Sequence, residues 1–118
     1  MKYNFFVTTD FEKTLKRLCK KYRSLVDDLE TFKQEFEEKY PDIGVDLGGG
    51  YRKIRMEIKS KNKEKSGGAR IITYDLCLKV EESDILLVAM FDKNEFENIR
   101  DDYYKSLAEE YLKNHQVD

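Results

Sequence analysis

The stretch YRKIRMEIK, residues 51–59, alternates apolar and charged side chains. Ile54, Met56 and Ile58 alternate with Lys53, Arg55, Glu57 and Lys59. This period of two sends one set of side chains into a core and the other to the opposite face of a sheet. Downstream, Lys61 to Gly68 (KNKEKSGG) reads as a polar turn in which glycine supplies positive φ. Arg70 to Leu78 (RIITYDLCL) follows as the next strand, and Asp84 to Phe91 (DILLVAMF) as a central strand covered on both faces. Upstream, Pro41 to Gly50 (PDIGVDLGGG) gathers chain breakers and reads as a loop, its three glycines a hinge before the strand.

The N-terminal third carries the other period. Tyr3 to Thr8 (YNFFVT) is rich in aromatic and β-branched residues and reads as a first strand. Thr9 with Glu12 forms a capping-box pattern. Behind it Phe11, Leu15, Leu18, Cys19 and Tyr22 share one helical face. Ser24 opens a second helix whose stripe is Leu25, Leu29, Phe32, Phe36 and Tyr40, stopped by Pro41. Two helices joined so closely predict an antiparallel hairpin. A last helix is expected from Asn94 and Glu97, bearing Phe96, Ile99, Tyr103, Leu107 and Tyr111. The order β-α-α-β-β-β-α predicts an α+β fold, with a mostly antiparallel sheet packed against the N-terminal helical hairpin. Residues 1–113 are expected to form one domain and residues 114–118 a frayed tail.

The composition narrows the functional classes. Of 118 residues 39% are charged, against about 25% in an average domain, yet 8 Tyr and 7 Phe can build a core. The longest apolar run, Ile85 to Phe91, is far short of the ~20 residues of a spanning helix. The start, MKYNFFVTTDFEK, meets acid too soon for a secretory signal, and a cytoplasmic location is expected. Cys19 and Cys77 are distant and without neighbouring histidine, so they read as reduced, half-buried thiols. His115, the only histidine, falls in the expected tail. No metal cluster and no cofactor motif is expected: Gly48-Gly49-Gly50 leads into Tyr51-Arg52, not into the Lys-Ser or Lys-Thr of a phosphate loop. The acidic pairs Asp27-Asp28 and Asp101-Asp102 read as solvated helix surface.

Charge is unevenly spread. Net charge is −2, but Arg52, Lys53, Arg55, Lys59, Lys61, Lys63, Lys65 and Arg70 crowd into residues 51–70 against only Glu57 and Glu64. Such a segment attracts phosphate even in an acidic molecule. Lys59 to Lys65 taken alone reads as a solvated loop. Lys53 and Arg55 share a strand face ~7 Å apart. Arg70 opens the neighbouring strand and Lys93 follows the last one. Four converging cations suit a phosphodiester, and a lysine among like charges has its pKa lowered toward use as a base. They equally suit ordinary exposed strand positions, and spacing alone leaves both readings open.

Several of these segments together resemble the RelE/ParE superfamily of bacterial type II toxins, particularly its RelE-like branch. The resemblance spans about residues 1–107. It is carried by Phe11-Glu12-Lys13, Lys20-Lys21-Tyr22-Arg23-Ser24-Leu25, Tyr51-Arg52-Lys53-Ile54-Arg55, Lys65-Ser66-Gly67-Gly68-Ala69-Arg70-Ile71-Ile72, and Leu86-Leu87 through Phe91-Asp92-Lys93. It implies a toxin that cuts messenger RNA in the ribosomal A site by attack of the ribose 2′-hydroxyl, without metal or cofactor. It also implies the ribosome, mRNA and a separate antitoxin as partners; the short apolar runs already argue for no membrane. The implied catalytic residues are Lys53, Arg55, Arg70 and Lys93, with Tyr103 or Tyr104 as possible acid. Arg52, Lys59, Lys61, Lys63 and Lys65 are the candidate RNA- and ribosome-binding residues. A ParE-like gyrase poison and an inactive relative that only binds its antitoxin are the alternatives.

Overall fold

The structure, a computed structural model, describes residues 3–61, 67–76 and 83–115. Eight elements follow in the order β1 (Tyr3–Val7), α1 (Thr9–Lys21), α2 (Leu25–Lys39), β2 (Val45–Gly48), β3 (Tyr51–Met56), β4 (Ala69–Asp75), β5 (Ser83–Asp92) and α3 (Asp101–Asn114). The fold is α+β. The strands form one sheet in the order β1-β5-β4-β3-β2, antiparallel except where β1 runs parallel to β5.

The two periods seen in the sequence meet across this sheet. Phe11, Leu18 and Tyr22 of the first helical stripe and Leu25, Leu29, Phe32 and Phe36 of the second pack on Ile54, Met56, Ala69, Ile71, Ile85, Leu87 and Met90. Leu15, Cys19 and Tyr40 complete the stripes at the edge of this core, Cys19 as a half-buried free thiol; Cys77 lies outside the described residues. Phe36 is the hub, with Tyr3, Phe5, Phe32 and Tyr40 rings around it at centroid distances of 4.8–6.3 Å. The opposite sheet face carries a second core, in which Tyr104 and Ala108 of α3 cover Tyr51, Ile72, Leu86, Val88 and Ala89. A bulge at Val88 lets two consecutive β5 residues, Val88 and Ala89, join that core.

Some expectations are corrected. Residues 45–48 form β2 rather than loop, and Gly48, Gly49 and Gly50, all at positive φ, make the β2–β3 turn instead of a hinge. Thr8, not Thr9, caps α1, its hydroxyl accepting the Phe11 N–H at 3.0 Å. Ser24 stands at the α2 N-cap, but its hydroxyl donates to Asp28 Oδ2 at 2.6 Å. Asp28 is buried, not solvated; the Lys59 N–H also reaches it, at 3.2 Å. The last helix starts at Asp101, seven residues after Asn94, so Phe96 and Ile99 precede it. At its end His115 stacks on Tyr111 at 4.0 Å and its ring nitrogen lies 2.9 Å from the Tyr111 carbonyl oxygen. No described helix is long and apolar enough to cross a membrane.

Because four rings converge on Phe36, truncating it leaves a cavity their stiff rings cannot fill. Phe36→Ala is expected to cost about 3–5 kcal/mol, read as a lower midpoint in urea unfolding with an unchanged slope.

Candidate phosphate-binding face

β3 has Tyr51, Lys53 and Arg55 on the α3 side of the sheet and Ile54 and Met56 on the hairpin side. Register then fixes the neighbours. Arg55 stands directly opposite Arg70, and Arg70 directly opposite Phe91; one row along, Lys53 faces Ile72 and Ile72 faces Ala89. Paired Cα atoms in such ladders are about 5 Å apart. The α3 core includes Ile72 and Ala89 but stops short of the Arg55–Arg70–Phe91 row. Two arginines directly opposed on one sheet face cost stability. Burial and the nearby Arg55 charge both push the Arg70 guanidinium below its ordinary pKa. An anion laid across the pair reverses that repulsion.

The turn between β3 and β4 supports this row. The Arg70 guanidinium donates to the Gly67 carbonyl oxygen, and to that of Ala69 at 3.3 Å. Gly68 has φ +54°, and a side chain there would overlap the Met56 carbonyl oxygen. Gly67 lies against Lys93, leaving no room for a Cβ. Lys93 and Arg70 thus flank one glycine turn. The Lys93 ammonium donates to the Glu97 carbonyl oxygen at 3.2 Å.

The other candidates separate. Arg52 belongs to the hairpin side, donating to the Ile43 carbonyl at 3.1 Å and lying over the Tyr40 ring at 5.4 Å. Lys59 is exposed, away from the row. Lys63 and Lys65 lie outside the described residues. Lys61, expected on a solvated loop, has a side chain only 3% exposed, in an ion pair with Asp92 at 2.6 Å. Tyr104 is core, 5.2 Å from the Tyr51 ring, and is unavailable as an acid. Tyr103 is 45% exposed and donates to Asp10 Oδ1 at 2.9 Å; burial and that carboxylate raise its pKa, so it stays protonated at neutral pH. Tyr103 also borders a cavity of about 430 Å³ lined by Ala89, Phe91, Ile99 and the 52%-exposed Phe96. This cavity begins one strand from Arg70.

Asp92, fully buried, is the group that sequence reading passed over. Lys61 Nζ and the Tyr22 hydroxyl each donate to it at 2.6 Å, the Asn94 N–H donates at 2.9 Å, and Lys21 Nζ lies 3.6 Å away. An acid ending an apolar strand was the available signal, since a buried carboxylate requires a cation. Comparison of the chain with protein-family models and with curated proteins gives no match.

Burial alone would raise the Asp92 pKa, but the hydrogen bonds from Lys61, Tyr22 and Asn94 outweigh it and hold the group at about 2 against an ordinary 3.8. A carboxylate lowered on folding stabilises the fold above its unfolded pKa, and that contribution disappears as pH falls through the folded value. Unfolding free energy is therefore expected to drop by about 2 kcal/mol between pH 5 and pH 2. Urea titrations should show this acid limb in the native chain and a flatter one in Asp92→Asn.

Proposed function

We propose that the protein is a RelE-like toxin that cuts messenger RNA in the ribosomal A site. The observation that carries this reading is the Arg55–Arg70 cross-strand pair, with Lys53 one row along on the same face and Lys93 across the Gly67 turn. The α+β chain order, with two helices packed on one sheet face, supports this reading.

In this reaction the ribose 2′-oxygen attacks the adjacent phosphorus, the bond to the 5′-oxygen breaks, and a 2′,3′-cyclic phosphate forms. Lys53 takes the 2′-hydroxyl proton. Arg55 holds a non-bridging oxygen, and Arg70 neutralises the charge that builds as phosphorus becomes five-coordinate. Arginine cannot serve as the base because it does not lose its proton. Lys93, sharing the glycine turn with Arg70, returns a proton to the departing 5′-oxygen. Phe96 offers an exposed ring on which a flanking base can stack. A cognate antitoxin silences the toxin by covering this cationic face.

The test is a reconstituted translation reaction in which 5′ ends of a defined message are mapped by primer extension, with and without ribosomes. Breaks within the A-site codon that require ribosomes are expected. Arg70→Ala should reduce them at least a hundredfold, as removal of one transition-state donor does; wild-type cleavage in that variant would overturn the assignment. Lys93→Met is expected to slow cleavage at least tenfold while Tyr103→Phe stays within threefold. Reversal of that order would move the acid to Tyr103.

A further inference from the structure

Asp92 ends β5, stands opposite Ala69 across the ladder and immediately precedes Lys93. Lys93 follows it in the chain, and Arg70 follows its ladder partner Ala69. Its partner Lys61 is shared. The same ammonium that meets Asp92 at 2.6 Å donates to the Gly68 carbonyl oxygen at 3.0 Å. The Lys93 N–H donates to that oxygen too, at 3.1 Å. The preceding carbonyl, Gly67, receives the Arg70 guanidinium, and the Lys93 side chain packs against Gly67. One continuous path thus runs from the buried carboxylate through Lys61 and the glycine turn to both cations.

A buried ion pair is a poor source of stability, since apolar residues of similar volume hold a core as well or better. An apolar pair cannot hold a carbonyl oxygen, and this pair does. We infer that Lys61 and Asp92 form a positioning pair, fixing the Gly67–Gly68 turn so that the Arg70 guanidinium and Lys93 ammonium meet one phosphate. The catalytic part of the inference rests on the nuclease reading; the positioning of Arg70 does not.

Both parts are read from Lys61→Met/Asp92→Asn. The hydrogen-bonded Arg70 Nη–H resonance is assigned in the native chain, at low temperature, by its loss in Arg70→Lys. In the double variant, with core methyl spectra native-like, it should move to the position of exposed arginines and exchange at least tenfold faster with water. Cleavage should fall at least tenfold in kcat with KM within twofold. Lys61→Gln, which keeps a donor for the Gly68 oxygen, should restore most of both. If the double variant does not fold, Lys61→Met alone gives the same readings, because Tyr22 and Lys21 still hold Asp92. An unmoved Arg70 resonance in either folded variant overturns the positioning pair. A native chain that never cuts RNA overturns the nuclease reading instead, and the resonance still decides the positioning.

Discussion

The Asp92 carboxylate is the constraint on which the end of the sheet that carries Arg70 and Lys93 depends. It sits fully buried where β5 ends, and a charge in that place is tolerable only with donors on every side. Those donors come from three parts of the chain: Tyr22 after α1, Lys61 after β3, and the Asn94 backbone beyond β5. Satisfying one acid therefore fastens the helical hairpin, the β3–β4 turn and the segment that follows β5 to a common point. The path of residues 93–100 follows from it. Asn94 turns back on Asp92, and Glu95 reaches Arg17 of α1 in a two-bonded ion pair at 2.8 and 3.0 Å.

Around that fixed point the sheet separates its work by face. The hairpin face is almost wholly apolar and supplies the larger core through Phe36 and its ring neighbours. The α3 face is apolar beneath Tyr104 and Ala108 and at Phe91, and beside them it carries Lys53, Arg55 and Arg70. A chain with net charge −2 thus places like charges opposite each other on a single row. Directly opposed like charges weaken a sheet, a cost that a bound phosphate, as in the proposed function, would offset.

What the sequence reveals and hides divides along the range of the interactions. The stripes of α1 and α2, the alternation of β3 and the apolar run of β5 are set by local period, and each is visible in the chain. The same period places Lys53, Arg55 and Arg70 on one face. β2 is hidden because a four-residue edge strand buries little and its Asp46 and Gly48 resemble a loop. The start of α3 is hidden because Asn94 with Glu97 imitates a cap, while the Asp92 side chain, not Asn94, governs that turn. Lys61 is the hardest case. Its partner lies 31 residues away, and nothing near it distinguishes a buried clamp from a solvated lysine. Tyr103 and Tyr104 likewise differ only in which side of α3 meets the sheet, which sends Tyr104 into the core and leaves Tyr103 at the cavity.

In the proposed function, this cationic face cleaves RNA through the neighbouring ribose hydroxyl. The most direct measurement is the chemistry of the cut ends, on message cleaved in the A site by the native protein. A 2′,3′-cyclic phosphate is expected on the upstream fragment and a 5′-hydroxyl on the downstream one, with no cut when the scissile ribose is 2′-deoxy. Fragments ending in 3′-hydroxyl and 5′-phosphate, or cleavage that survives the 2′-deoxy substitution, would contradict it.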